Sequence, residues 1–203
     1  ISRIGLLAIC LFPLLSAQTP GWQLNLHSVP DELLETDSEP EFAPGSLVRI
    51  YGSSSQICFA PDRTQVRIRP TAGTEWRDVA IIAEPASFYS CPPAITVALP
   101  QQLPLGPAFL EVRVDGNELL APLTIIPTRF GILTWEKAPL TRPLSPGAIL
   151  RITGTGLGLA TPSEIHAELD GQPLEFVETR HNTGRDELSF RLPPAISTRG
   201  CYT

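Results

Sequence analysis

The residues of this sequence that could carry chemistry are three of its four cysteines, those beyond Cys10, a histidine near an aspartate, a few loop aromatics and two glycine-rich stretches. Cys58, Cys91 and Cys201 form no C-x-x-C pair, and His27, His166 and His181 stand far from one another, so the spacing of a zinc site is missing. His181, in the expected loop Arg180-His181-Asn182-Thr183-Gly184, lies near Asp186 in sequence. A carboxylate beside an imidazole can orient it, but general-base work also needs a positioned nucleophile, and this stretch offers none. Gly52-Ser53-Ser54-Ser55 lacks the second glycine of a nucleophile elbow and any helix behind it. Gly154-Thr155-Gly156-Leu157-Gly158 imitates a phosphate loop, but its spacing is wrong for G-x-G-x-x-G and Ala160-Thr161-Pro162 follows where a helix should start. It reads as a turn after a strand. No catalytic, cofactor-binding or metal-ligating set is expected.

Asp31, Glu32, Glu35, Asp37, Glu39 and Glu41 form an acidic run. Calcium wants oxygens converging from a bent loop, whereas this spacing matches no calcium loop and no glycine occurs until Gly45. A solvated connector is the better reading.

The whole chain has 203 residues, with net charge −6 and a single lysine, Lys137. Nothing in that balance neutralises a run of phosphates, which argues against nucleic acid as a partner. An acidic surface is also repelled by anionic lipid. The 22 prolines and 15 glycines disfavour long helices, because proline breaks the backbone ladder and glycine adds entropic cost.

The chain opens at Ile1, without Met, inside what reads as an export signal. Arg3 precedes an apolar stretch from Ile4 to Leu15, closed by the small pair Ser16-Ala17. The stretch is shorter than the roughly 20 apolar residues of a membrane span, and Pro13 argues against a stable helix there. Bulky Ile9 before Cys10 sets a lipoprotein signal aside. Residues 1–17 are therefore expected to be a signal peptide whose start is missing, cleaved after Ala17, with no membrane insertion afterwards and a secreted or cell-surface destination. In such a compartment cysteines pair, and an odd thiol is anomalous.

An internal repeat gives the organisation. Ala43-Pro44-Gly45-Ser46-Leu47-Val48-Arg49-Ile50-Tyr51-Gly52 returns as Ser145-Pro146-Gly147-Ala148-Ile149-Leu150-Arg151-Ile152-Thr153-Gly154. Further on, Ile95-Thr96-Val97-Ala98-Leu99-Pro100 corresponds to Leu188-Ser189-Phe190-Arg191-Leu192-Pro193. Two matches in the same order mark a tandem duplication. Alternation of apolar and polar residues, as in Val66-Arg67-Ile68-Arg69 and Phe109 to Val114, is that of half-buried strands. Asp115-Gly116 and Asp170-Gly171 are hairpin signals.

Strands are expected near 22–27, 46–52, 65–69, 77–83, 94–99, 108–115 and 118–126 in the first copy. In the second they are expected near 130–135, 148–153, 165–169, 172–178 and 187–192. The fold class is thus all-β: two tandem immunoglobulin-like β-sandwiches, the second truncated at the C-terminus. The domains would be 18–128, with the acidic lead-in 31–41, and 129–203, incomplete. The missing last hairpin of the second copy would leave an unpaired edge and an open core, with Cys201 seeking a partner elsewhere.

The Pro-Gly-x-x-x-x-Ile-x-Gly strand, the Ile-x-Val-x-Leu-Pro strand and the Gly106-Pro107-Ala108 to Asp115-Gly116 hairpin resemble bacterial IPT/TIG-type immunoglobulin-like domains. They are most similar to the variety repeated in secreted acidobacterial proteins. The resemblance covers residues 41–131 well and 143–203 as a partial copy. It implies fold more than activity, and it carries no catalytic residues; such domains serve as accessory or surface modules.

Because consecutive antiparallel strands alternate direction, the loops 53–64, 84–93 and 115–117 should emerge at one end of the first sandwich. That end holds Cys58 and Cys91, whose pairing as a disulfide would contribute roughly 3–4 kcal/mol on a chain-entropy estimate. It also holds Phe59, Phe88 and Tyr89, which could stack on a sugar or peptide ligand or could plug the end of the core. The expected function is a non-catalytic extracellular interaction or spacer module with an unknown protein or glycan partner. The rival is a carbohydrate-binding accessory region of a larger secreted hydrolase.

Overall fold

The computed structural model describes residues 23–29, 40–52, 57–60, 62–82, 92–135, 145–169 and 171–194. The expected signal segment, residues 31–39 of the acidic run, Phe88, Tyr89, Cys91 and Cys201 lie outside these residues.

The described residues are almost entirely strand and turn. Strands β1 (Leu24–Ser28), β2 (Glu41–Phe42), β3 (Leu47–Gly52), β4 (Thr64–Pro70), β5 (Arg77–Asp78), β6 (Ala80–Ile82), β7 (Ala94–Ala98), β8 (Gly106–Val114) and β9 (Asn117–Ile125) make up the first half. Strands β10 (Gly131–Trp135), β11 (Ile149–Thr155), β12 (Glu168–Leu169), β13 (Gln172–Pro173), β14 (Glu175–Asn182) and β15 (Arg185–Arg191) make up the second, with one 3-10 turn at Pro162–Glu164.

In the first half one sheet has the order β1-β3-β7-β6 and the other β2-β9-β8-β4-β5. All pairings are antiparallel except β2 with β9, which is parallel. β4 shows why these residues form a strand: Val66 and Ile68 are buried while Gln65 is exposed and Arg67 half-exposed, the two-residue period of a sheet with one face on a core. β8 and β9 turn tightly through Asp115 and Gly116, both at positive φ, the backbone that a two-residue primed turn requires. One core cluster takes Val48, Ile50, Ile95 and Val97 from one sheet and Val66, Ile68, Leu110, Val112, Leu119 and Leu123 from the other. The two sheets therefore share a core.

The second half has a four-stranded sheet of order β10-β11-β15-β14 and a two-stranded sheet of β12 and β13. The repeat read from sequence is reproduced at the level of register. Val48 faces Val97 and Ile50 faces Ile95 in β3 and β7; their counterparts Leu150 and Ile152 face Phe190 and Leu188 in β11 and β15. At the next edge Ile81 faces Val97, and Phe176 faces Phe190. The Val79 N–H donates to Val66 O at 2.9 Å, and the Leu174 N–H donates to Ala167 O at 2.9 Å. β4, β5 and β6 thus have counterparts in β12, β13 and β14.

Two expectations change. The single strands near 77–83 and 172–178 are each a pair of strands on different sheets: β5 then β6, and β13 then β14. Buried Val79 and half-buried Leu174 sit at the crossing points, where the chain passes from one sheet to the other. The short β2 starts at Glu41, the last residue of the expected connector 31–41, because Phe42 next to it is drawn into the core at 1% exposure. The chain is an all-β protein of several antiparallel and mixed sheets.

Candidate functional site

Among the described residues, the segments 57–60, 62–64, 92–93 and 115–117 are linked at one end of the first half. The Phe59 N–H donates to Pro92 O at 3.1 Å, and Arg63 Nη1 lies 3.2 Å from Asp115 Oδ1. Phe59 is fully buried in the core cluster, so its ring packs inward and is not available to a ligand at that end. Cys58 is half-buried, with Arg63 Nη2 at 4.0 Å from its sulfur. Phe88, Tyr89 and Cys91 lie outside the described residues, and with them the disulfide and the rest of the aromatic set.

The site with the most built detail is the junction between the halves. The connector of residues 126–130 is short, and it is hydrogen-bonded on both sides. The Ile126 N–H donates to Phe42 O at 2.9 Å, the Arg129 N–H donates to Gly156 O at 2.9 Å, and the Leu159 N–H donates to Pro127 O at 2.9 Å. The Arg129 guanidinium reaches back to Glu41 O at 2.9 Å. Buried Thr155 presents its hydroxyl oxygen to the Leu47 N–H at 2.7 Å.

The stretch 154–158 is the clamp in this junction. Gly156 and Gly158 have φ of +81° and +60°, and a Cβ on either would lie 2.2 Å from a connector carbonyl, Arg129 O or Pro127 O. Only glycine lets the backbone both turn left-handed and approach that closely. The loop that imitates a phosphate cradle in sequence is thus a backbone-to-backbone grip.

His181 and Asp186 come together, as neighbours on the β14–β15 hairpin, with Nδ1 2.7 Å from Oδ1. Asp186 is 1% exposed, and its other oxygen accepts the Leu157 N–H at 2.9 Å. Its carboxylate holds the clamp loop in place, which is a positioning role for a group that resembled half of a catalytic pair. The tip of the same hairpin rests on the first half: a Cβ on Gly184 would lie 2.3 Å from Leu47 Cδ2. Between tip and first half runs a groove of about 570 Å³, lined by Asp78, Ala98, Gln101, His181, Asn182 and others. Among the described residues no group of three or more His, Cys, Asp or Glu is arranged to hold a metal.

The outer face of β4 and β8 carries a second constellation that sequence reasoning did not single out. Glu111, 4% exposed, receives Arg67 Nε at 3.0 Å and has Arg113 Nε at 2.8 Å from the same oxygen. Arg69 and Arg67 lie over the Trp76 ring, 4.7 Å and 5.3 Å from its centroid. The signal was present in the alternation, which put Arg67, Arg69, Glu111 and Arg113 on one face. It reads as a charge-paired sheet surface.

No family model matches the chain, and no curated protein matches it. Twelve chains of solved structures match. One is a Bacteroides ovatus protein of the mixed-linkage glucan utilization locus, SGBP-B, in complex with a mixed-linkage heptasaccharide. It is 15% identical, with a TM-score of 0.22, over 85% of this chain and 41% of that one. The chain therefore spans about two fifths of that structure's length. Among the described residues no helix is long and apolar enough to cross a membrane.

Proposed function

We propose that this chain is a non-catalytic interaction and spacer module of an exported protein, built from two immunoglobulin-like β-sandwiches in tandem and holding them at a fixed orientation. The observation that carries the reading is the connector at 126–130, hydrogen-bonded to the first half at Ile126 and Arg129 and to the second at Pro127 and Arg129. A flexible linker leaves its backbone groups to water; this one spends them on both neighbours. The matched registers of β3 with β7 and β11 with β15 support the tandem reading. The export half of the reading rests on the signal-like residues 1–17.

A protein or glycan partner would meet surfaces and loop ends rather than a reaction centre. Asp186 holds the clamp loop through Leu157, which supports a structural role for its carboxylate. Spin labels placed one on each half should give a single narrow distance distribution, and a broad or bimodal one overturns the spacer reading. A hydrolase panel should show no turnover; turnover abolished by His181→Ala overturns the non-catalytic reading.

A further inference from the structure

The registers lay out the outer face of the β2-β9-β8-β4-β5 sheet in rows. Trp76, one residue before the pair of Arg77 with Ile68, stands beside Arg69; Arg69 faces Phe109, and Phe109 faces Pro122. The next row is Arg67, Glu111 and Leu120, and the one after it Gln65, Arg113 and Glu118. In those two rows the arginines are matched by carboxylates: Glu111 takes Arg67 and Arg113, and Arg113 also takes Glu118. Arg69 is the exception. Its guanidinium lies 4.7 Å from the centroid of the Trp76 ring, and among the described residues no carboxylate lies against it. Arg69, Trp76 and Phe109 are half-exposed, and Pro122 is exposed.

Stacking on an indole engages the face of a guanidinium and leaves its edge, where the N–H donors form a planar fork that matches a carboxylate. Arg69 is therefore a pre-oriented receptor for an oxyanion. The rest of its row is apolar and crosses four strand positions, about 14 Å in all, longer than one sugar ring. The sandwich itself does not need the pair. By the equivalence of Ile68–Arg77 with Leu169–Gln172, the second half has Asp170 and Gly171 where the first has Arg69 and Trp76.

We propose that the row Trp76, Arg69, Phe109 and Pro122 is a binding face for an acidic polysaccharide. A uronate carboxylate sits on the edge of Arg69, and the apolar faces of neighbouring pyranose rings lie on Phe109 and Pro122. β4 and β8 are each paired on both sides, which leaves no edge there for a peptide strand, and one unmatched cation is too few for the phosphates of a nucleic acid. The inference deepens the proposed interaction module by giving its partner a chemical class, and it rests on that non-catalytic reading.

The test titrates the full chain with oligogalacturonate, oligoalginate and a glucuronoxylan oligosaccharide, following the Trp76 indole and Arg69 Nε–H signals by NMR. Methyl-esterified oligogalacturonate and oligoglutamate are the controls. At least one acidic glycan is expected to move both signals, and neutralising its carboxylates should weaken binding about tenfold, the size of a charge-assisted hydrogen bond. That comparison needs no variant. Arg69→Gln should lose a similar factor, while Arg191→Gln, which removes an equal charge from the second half, should lose none. Binding by none of the three glycans, no effect of neutralisation, an equal loss in Arg191→Gln, or tighter binding of oligoglutamate would each overturn the proposal. So would an Arg69 signal that added salt moves in the chain alone, the mark of a carboxylate of the same chain on that site. Such a failure leaves the tandem-spacer reading standing, which fails separately, by independent motion of the halves.

Discussion

The hydroxyl oxygen of Thr155, at the end of β11, accepts a hydrogen bond from the backbone N–H of Leu47, at the start of β3, at 2.7 Å. A side chain of one half thereby satisfies a buried main-chain donor of the other, so the two strands that repeat each other in sequence are also joined in space. Thr155→Val keeps the shape and removes the acceptor. The expected cost is about 1–3 kcal/mol, that of leaving a buried N–H unmet, with Thr155→Ser recovering most of it. Chemical denaturation of the three chains measures this.

Asp186 ties the clamp loop to the β14–β15 hairpin through both of its oxygens. Asp186→Ala strands the Leu157 N–H and should destabilise the second half by about 1–3 kcal/mol. Asp186→Asn, which keeps an acceptor for Leu157, should cost less. Amide exchange at Leu157 should rise in the alanine variant first.

Gly156→Ala and Gly158→Ala each place a Cβ 2.2 Å from a carbonyl oxygen at a left-handed backbone position. The clamp must open to admit either one. The expected result is loss of the fixed orientation with both halves still folded, seen as a broadened distance distribution between labels on the two halves. Gly171→Ala, also at positive φ but with no neighbouring atom within 4 Å, should leave that distribution unchanged.

Glu164 accepts the Thr161 N–H at 2.8 Å and the Thr161 hydroxyl at 2.7 Å in the 3-10 turn that follows the clamp. The backbone hydrogen bond first, and then the hydroxyl, hold its carboxyl below the ordinary 4.5. Its folded pKa is lowered, so its contribution to the turn is fully present above 4.5 and is lost as pH falls through the folded value. A carbon-detected NMR titration should place the Glu164 midpoint below 4.5, and Thr161→Ala should return it toward that value.

Much of the architecture was legible because it rests on local pattern. The Pro-Gly turns and the apolar alternation around Leu47–Ile50 and Ile149–Ile152 marked equivalent strands, and Asp115-Gly116 marked its hairpin. The split of 77–83 was not legible. A lone buried Val79 between short strands looks like the interior of one strand, and only tertiary packing shows the chain changing sheets there. The clamp was legible as a turn but not as a grip. What makes Gly156 and Gly158 necessary is the distance to Arg129 O and Pro127 O, carbonyls that no local pattern relates to them. Phe59 was legible as apolar and near a loop end; whether such a ring faces ligand or core is decided by the sheets around it.

The central claim is that the two halves move as one body. Residual dipolar couplings of backbone amides in weakly aligned medium test it most directly. If the connector is locked, couplings from β3, β4, β7 and β8 and those from β11, β14 and β15 fit a single alignment tensor, and Gly156→Ala splits it into two of different magnitude. Two distinct tensors in the unaltered chain would contradict the account.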